Sequence, residues 1–208
     1  MNLPVPPDPF HRSADADERL QRWLRAVLTT PGLTAIDELD EARRVLLEDS
    51  LRGVDLAREY GGPIVDVGSG GGAPGIPLAH ALPDRDVTLL EANGRKCDFL
   101  REWAPSNASV VQGRAEEQET DRFGLAVAKA LAPPHVAAEW CLPLVRPGGA
   151  AVLWVGASAN ADRVARVGER LASELVDGPP GFLVLRKLGP TPEGFPRRVG
   201  VARKRPLG

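Results

Sequence analysis

The chain has few of the residues that carry metal or thiol chemistry. Its 208 residues include two cysteines and three histidines. Neither Cys97 nor Cys141 has a partner at the CxxC spacing, and His11, His80 and His135 lie apart without metal-ligand spacing. The sequence therefore predicts no metal site, and it predicts that both cysteines are small buried residues on helix faces.

Long apolar runs are also missing. The first 17 residues lack the apolar stretch of a signal peptide, and no later segment approaches the roughly 18 uninterrupted apolar residues of a membrane span. A content of 43% hydrophobic and 26% charged residues fits one well-buried α/β domain with some extra chain. We expect a cytoplasmic protein that does not associate with membranes and has the ordinary size of a monomer.

The charge of the chain is small but unevenly distributed. The formal net charge is −2, which by itself gives no reason to expect a polyanionic partner. From Arg186 to Gly208, however, seven basic residues stand against one acid, Glu193. Contacts with phosphates depend on local rather than total charge. This segment is either a phosphate-contacting surface or an ordinary solvated tail, and charge alone does not decide between them.

The first 60 residues predict a helical extension. Residues 1–16 are rich in proline and aspartate without an apolar period, which predicts a disordered start. From Leu20, apolar residues recur at helical spacing until Thr30, Pro31 and Gly32 interrupt the pattern. A second amphipathic pattern runs from Leu39 to about Tyr60. We therefore expect a helical extension over residues 17–60.

After Pro63 short apolar segments alternate with helical ones, which is typical of βαβ units and a mainly parallel sheet. This part, residues 61–208, is predicted to be one α/β domain. The expected strands are Ile64 to Val67, Val87 to Leu90, Ser109 to Gln112, Leu125 to Ala128, Ala150 to Val155, Phe182 to Leu185 and Val199 to Arg203. The expected helices are Ile76 to Ala81, Arg95 to Ala104, His135 to Leu144 and Asp162 to Leu175.

The most informative segment is a glycine-rich loop between the first strand and its helix. Glycines allow a tight turn and close approach to a ligand, and the following helix offers free N–H groups. Gly70-x-Gly72-x-x-Gly75 satisfies the dinucleotide pattern GxGxxG. Asp66 followed by Gly68-x-Gly70-x-Gly72 instead resembles motif I of the class I methyltransferases, which use S-adenosylmethionine. A carboxylate suits the ammonium and sulfonium of that ligand better than it suits a pyrophosphate.

Two further acidic positions follow predicted strands. Glu91 ends the second strand, where an acid is placed to accept hydrogen bonds from ribose hydroxyls. Glu116 and Glu117 follow the third strand, where methyltransferases place an acid near adenine, although the same residues also suit a solvated helix start. Together these acids favour a nucleoside-containing ligand.

Longer motifs resemble one family, the ribosomal RNA small-subunit methyltransferase G family, also called glucose-inhibited division protein B. The resemblance covers most of the chain from about Leu20, and the proline-rich extension of the glycine loop is more specific than the glycines themselves. The motifs that carry it are Gly32-Leu33-Thr34-Ala35-Ile36, Asp49-Ser50-Leu51, Asp66 through Ala79, Phe99-Leu100-Arg101, Gly113 through Glu117, Pro147-Gly148-Gly149 and the basic segment Phe195-Pro196-Arg197-Arg198 with Lys204.

The resemblance implies a class I methyltransferase of Rossmann-like α/β fold, with a mostly parallel seven-stranded sheet. It implies S-adenosylmethionine as cofactor and, as reaction, methylation of a guanine N7 in 16S ribosomal RNA or the small ribosomal subunit. Guanine N7 has no proton to lose, so no catalytic residue is assigned. The implied cofactor-binding residues are Asp66, Gly68, Gly70, Ala73, Glu91, Ala115, Glu116 and Lys129. The basic segment supplies the expected RNA contacts, Arg197, Arg198 and Lys204.

The chain departs from the family pattern at several positions. Lys129 stands in place of an arginine, Gly124 in place of an aspartate, Ala73 in place of a larger apolar residue and Leu46 in place of a histidine. These departures leave open a class I methyltransferase that acts on a small molecule or a protein.

Two alternatives from other classes also stay open. An NAD-dependent oxidoreductase would use the GxGxxG pattern, but a Tyr-x-x-x-Lys motif is missing and the only tyrosine is Tyr60. A non-enzymatic RNA-binding module would use the basic tail alone. The four tryptophans could stack on bases, but packing is the expected role of Trp23, Trp103 and Trp154, which lie on helical or strand apolar patterns.

Overall fold

The computed structural model describes residues 14–207 and their side chains from residue 16 onward. It contains a seven-stranded sheet with the order β3-β2-β1-β4-β5-β7-β6. β1 to β5 pair in parallel, whereas β7 lies antiparallel between β5 and β6. The predicted α/β class with a mostly parallel seven-stranded sheet is confirmed. The strands are β1 Ile64–Val67, β2 Val87–Glu91, β3 Ala108–Gln112, β4 Phe123–Lys129, β5 Val145–Trp154, β6 Ser173–Val176 and β7 Phe182–Lys187.

Helices cover both faces of this sheet and form the extension before it. The helices are α1 Ala14–Thr29, α2 Leu39–Ala42, α3 Asp49–Leu51, α4 Val54–Glu59, α5 Gly75–Ala81, α6 Gly94–Trp103, α7 Pro134–Cys141, α8 Ala161–Arg170 and α9 Val201–Lys204. A π-helical turn, Arg43–Glu48, and two 3-10 turns, Ala115–Glu117 and Leu142–Leu144, complete the elements. The predicted disordered start lies mostly outside the described residues, and α1 already begins within it, at Ala14.

The C-terminal part differs from the prediction. The segment Val199 to Arg203, expected as the last strand, contains instead the short helix α9. The seventh strand is β6, which the sequence assigned to the end of a longer helix. Ala172 has a positive φ of 52° directly before β6, so the chain turns there after α8 and pairs with β7. A helical apolar pattern that continues past a turn explains the error.

The second helical pattern of the extension is also more divided than predicted. Instead of one helix up to Tyr60, the chain forms α2, the π-helical turn, α3 and α4. The break before α4 lies at Gly53, where an added Cβ would overlap the ring of Trp154. The approach of a β5 side chain, which no local pattern reveals, therefore fixes this bend.

Two apolar layers hold the elements together. One packs the extension, α5 and α6 against one face of the sheet, and the other packs α7 and α8 against the opposite face. Trp23 is 1% exposed in the first layer, so its predicted packing role is confirmed. Fully burying a large apolar side chain contributes roughly 1.5–3 kcal/mol. In the part of the chain that the structure describes, no helix combines the length and apolar composition needed to cross a membrane.

Candidate active site

A cavity of about 720 Å³ opens at the carboxyl edge of the sheet, beside β1 and β4. The strand order reverses at this pair, and ligands of open α/β sheets bind at such switch points. The volume lies within the roughly 300–1,000 Å³ of small-molecule sites. The glycine loop, the ends of β2 and β3, the end of β4, and the extension all contribute walls.

Asp66 fixes the glycine loop from below. Its carboxylate is 1% exposed, and its Oδ2 accepts a hydrogen bond of 3.0 Å from the N–H of Gly75. Burial raises the pKa of Asp66 to about 7, and the bond from Gly75 offsets part of that rise. Asp66 is not among the residues that line the cavity. The structure therefore places the Asp66 carboxylate beneath the loop, where it positions the backbone.

The loop itself has a backbone that favours glycine. Gly68 and Gly70 have φ values of 72° and 56° and both line the cavity. A Cβ at Gly68 would also overlap the side chain of Leu131. On the outer side, the indole N–H of Trp23 donates to the carbonyl of Gly71 at 2.8 Å. Helix α1 therefore holds the loop in place from the extension.

Glu91 links the loop to the second strand. Its Oε2 accepts from the N–H of Gly70 at 2.9 Å and its Oε1 from the N–H of Asn93 at 2.8 Å. The side chain lines the cavity while the residue is 9% exposed. Because a carboxylate takes the Gly70 N–H that would face a dinucleotide pyrophosphate, the loop disfavours NAD.

The 3-10 turn after β3 forms another part of the cavity wall. Ala115, 6% exposed, and Glu116 both line the cavity. The Oε1 of Glu116 accepts a hydrogen bond of 3.2 Å from the N–H of Gly200. The C-terminal segment therefore reaches the wall where the resemblance places the nucleoside.

Lys129 ends β4 and lines the opposite wall. Its ammonium donates to the carboxylate of Asp49 and to the carbonyl of Val45, both in the extension. Burial lowers the pKa of Lys129, while the bond and the charge of Asp49 raise it. The same cavity is thus lined by seven of the predicted cofactor residues, which are Gly68, Gly70, Ala73, Glu91, Ala115, Glu116 and Lys129.

The structure separates the three expected RNA contacts. Arg197 lies in a two-point ion pair with Glu139, Nε to Oε1 at 2.5 Å and Nη2 to Oε2 at 2.6 Å. Glu139 is 3% exposed, so this pair is largely buried. Arg198 and Lys204 are exposed. The ion pair with Glu139 places Arg197 to hold the C-terminal segment on α7.

Several residues that line the cavity were not predicted as site residues from the sequence. Trp140 on α7 lines the cavity, and the guanidinium of Arg203 lies 6.0 Å from the centre of its ring. Leu33 to Ile36 and Val45, from the extension, form another wall. The motif Gly32 to Ile36 was a usable signal for that wall. For Trp140 and Arg203 no local pattern exists, because the packing of α9 on α7 brings them together.

The structure shows the surroundings of three departures from the family pattern. A Cβ at Gly124 would overlap the carbonyl oxygen of Gly61, so the close backbone approach in this chain requires glycine. Leu46 and Ala73 both line the cavity, so their side chains shape the site.

The strand order, the glycine loop and the position of the cavity define a class I methyltransferase, the S-adenosylmethionine-dependent class. A model of the family described as rRNA small subunit methyltransferase G matches residues 16–175. The chain belongs to this family.

Curated relatives agree over most of their length. A ribosomal RNA small subunit methyltransferase G of Synechococcus elongatus is 38% identical over 199 residues, covering 85% of this chain and 82% of the relative. One of Gloeobacter violaceus is 35% identical over 213 residues, covering 92% and 85%. The family resemblance of the sequence is confirmed.

Solved structures show the same fold at low identity. A 16S rRNA N2-guanine methyltransferase of T. thermophilus, in complex with AdoMet and guanosine, is 18% identical with a TM-score of 0.50. The match covers 64% of this chain and 37% of that one. A predicted O-methyltransferase of Agrobacterium tumefaciens is 19% identical with a TM-score of 0.51, covering 71% and 86%.

Proposed function

We propose that this protein transfers the methyl group of S-adenosylmethionine to N7 of a guanine in 16S ribosomal RNA, in the cytoplasm and as a monomer. The observation that carries the proposal is the cavity that the glycine loop, Glu91, the turn at Ala115 and Lys129 line together. Membership of the family supplies the substrate class.

The residues present fit this cofactor. Gly68 and Gly70 place no Cβ at the cavity, and Glu91 and Glu116 line it with carboxylates that would accept hydrogen bonds from the hydroxyl and amino donors of a nucleoside. When bound, S-adenosylmethionine supplies an electrophilic methyl group on a sulfonium. We assign Gly68, Gly70, Ala73, Glu91, Ala115, Glu116 and Lys129 to its binding, and Asp66 to positioning the loop.

The chemistry of the cavity suits an acceptor that needs no general base. Among the described residues that line it, there is no histidine, cysteine, tyrosine or aspartate. Glu91 and Glu116 both accept from backbone N–H groups. Guanine N7 attacks through an in-plane lone pair and loses no proton, so orientation and proximity supply the catalysis.

Exposed cations supply the RNA contacts. Arg198 and Lys204 lie on the C-terminal segment. This segment contacts the cavity wall where the N–H of Gly200 donates to the carboxylate of Glu116. Lys96, Arg114 and Arg203 line the cavity itself. Removing one cation that binds a phosphate lowers the salt slope of RNA binding by about 1. The variant Arg198→Ala/Lys204→Ala should therefore bind RNA with a salt slope reduced by about 2.

The test is methyl transfer from labelled S-adenosylmethionine to small subunits and to deproteinised 16S rRNA from cells that lack this enzyme. We expect label at one guanine, recognised as 7-methylguanine by its borohydride and aniline cleavage. Gly68→Ala should weaken cofactor binding in calorimetry, because its Cβ overlaps Leu131. Gly156→Ala, where an added Cβ meets nothing within 4 Å, is the matched control.

The outcomes separate the competing functions. Label on a protein or a small molecule would favour another methyltransferase activity at the same site. Calorimetric binding of NAD in place of S-adenosylmethionine would favour the oxidoreductase. RNA binding with no cofactor affinity would leave an RNA-binding module and overturn the proposal.

A further inference from the structure

Four cationic side chains line the cavity, and one of them is tied to the extension. They are Lys96, Arg114, Lys129 and Arg203. Within residues 16–207, Lys129 is the one among them that forms a salt bridge, and its partner is Asp49. The family motif around Asp49 has no assigned role in the cofactor site, so this contact is unexplained by the proposed function.

The contact restrains the ammonium group of Lys129. An ammonium has three N–H donors, and those of Lys129 serve both the Asp49 carboxylate and the Val45 carbonyl. The Lys129 side chain is 11% exposed and that of Asp49 31%. A flexible lysine held at two acceptors loses much of its rotamer freedom, so its charge has a fixed place in the cavity wall.

Asp49 is in turn held from two other directions. Its second carboxylate oxygen accepts from Arg52 at 2.8 Å. Its carbonyl accepts from the indole N–H of Trp154 at 2.9 Å. Trp154 ends β5 and is in register with Lys129 on β4. The main chain and the side chain of Asp49 thus bind the ends of two adjacent strands.

The local helix geometry brings these acceptors to the site. Val45 lies within the π-helical turn that directly precedes Asp49. Single π-helical turns occur often at functional sites, and they change the direction in which carbonyls and side chains point. Val45 and Leu46 also line the cavity.

We propose that Asp49 is a positioning residue, which holds the ammonium of Lys129 in the cavity wall so that the helical extension completes the active site. The inference rests on the proposed function, because it assigns Lys129 to the methyl-donor site. Asp49 acts through Lys129 and contacts neither the methyl donor nor the RNA.

The test compares Asp49→Asn with Asp55→Asn. Asp55 is an 85% exposed side chain in the same extension, and it pairs with Arg58. We expect Asp49→Asn to lower kcat/KM for RNA methylation by between about tenfold and a hundredfold, since small misplacements of site groups have effects of that size. Asp55→Asn should match the wild type. Cofactor Kd and Tm are measured for each variant.

The pH profile separates positioning from a merely structural role. Asp49 and Arg52 are the charged groups that act on Lys129. Asp49 raises the pKa of Lys129, so its loss should lower that pKa. The alkaline limb of the plot of kcat/KM against pH should then move to lower pH. Arg52→Gln removes a lowering influence and should move the same limb to higher pH. Arginine stays charged, so Asp49→Asn/Lys129→Arg should have no alkaline limb.

The results decide between two explanations. An Asp49→Asn enzyme with the activity of Asp55→Asn, or an alkaline limb that stays in place in both Asp49→Asn and Arg52→Gln, would overturn the proposal. If Asp49→Asn does not fold, the shift of the alkaline limb in Arg52→Gln gives the decision, and loss of the limb in Lys129→Arg shows that Lys129 is the group that titrates there. Failure of the proposed function itself would appear separately, as a wild-type enzyme without activity on 16S rRNA.

Discussion

The carboxylate of Asp66 and the backbone N–H of Gly75 form a hydrogen bond of 3.0 Å across the base of the glycine loop. Asp66 belongs to the first strand and Gly75 begins the first helix after the loop. An added Cβ at Gly75 would lie 2.6 Å from Asp66 Oδ2. The shape of the loop therefore depends on a buried acid and a missing side chain, nine residues apart.

This acid makes stability depend on pH. The pKa of Asp66 rises from 3.8 to about 7 because of burial. Between about pH 4 and pH 7 the folded protein binds more protons than the unfolded chain, so the free energy of unfolding falls as pH rises. Asp66→Asn should lose this component, which corresponds to about 4 kcal/mol across that window. Denaturant unfolding at a series of pH values measures it.

The control for that series is Asp84→Asn, at an exposed acid between α5 and β2. It should keep the wild-type slope. Equal slopes for Asp66→Asn and the wild type would show that Asp66 does not titrate in this window.

Arg197 should act on stability rather than on RNA. Its removal leaves Glu139 as a buried charge without its partner, which destabilises proteins by about 3–5 kcal/mol. Arg197→Ala should therefore lower the free energy of unfolding by that amount, with the salt slope of RNA binding little changed. Arg198→Ala, at an exposed neighbour, should leave stability within about 0.5 kcal/mol.

A second substitution checks the cause. Glu139→Leu in the Arg197→Ala background removes the orphaned charge and should recover part of the loss, as measured by the same denaturant curves. An unchanged free energy of unfolding in Arg197→Ala would contradict the structural role, and a large fall in its RNA salt slope would restore Arg197 as a phosphate contact.

Lys187 gives the opposite dependence at alkaline pH. It is 1% exposed and its ammonium donates to the Leu142 carbonyl at 3.0 Å and to Thr191 Oγ1 at 2.9 Å. Burial lowers its pKa from 10.5 to about 8, and the charge of Asp121 opposes this shift. Between these values the unfolded chain binds more protons, so stability should rise from about pH 8 to pH 10.5.

Lys187→Met should remove this rise, whereas Lys204→Met, at an exposed lysine, should keep it. Thermal unfolding between pH 8 and pH 10.5 gives the measurement. A rise that persists in Lys187→Met would assign the alkaline stabilisation to another group.

Gly124 should tolerate no side chain. Gly124→Ala would bring a Cβ into the carbonyl oxygen of Gly61, and backbone has little freedom to withdraw. We expect a loss of roughly 1–3 kcal/mol or more, seen as a lower Tm. Gly156→Ala, with open space around the Cβ, should leave Tm within a few degrees. An unchanged Tm in Gly124→Ala would mean that Gly61 moves aside at little cost.

The sequence alone determined the class of fold and several of the residues that line the cavity. Short apolar runs that alternate with helical patterns require a parallel sheet, and a glycine loop after its first strand places the ligand at the carboxyl edge. Gly68, Glu91, Ala115 and Lys129 each follow or end a strand, so their meeting at that edge is a consequence of strand direction. Local pattern was enough to expect Gly68 and Glu91 at the site, whereas Ala115 and Lys129 were expected from the family resemblance.

The tertiary structure decided the roles of the charged groups and the end of the chain. Asp66 is buried under the loop, and Arg197 forms an ion pair with Glu139. The segment expected as the last strand is a helix, and β6 is the seventh strand of the sheet. These outcomes depend on burial and pairing energies, which arise from packing contacts that no local period encodes. The sequence shows which residue types are available for a site. Only the packing of the folded chain decides which of them line the cavity.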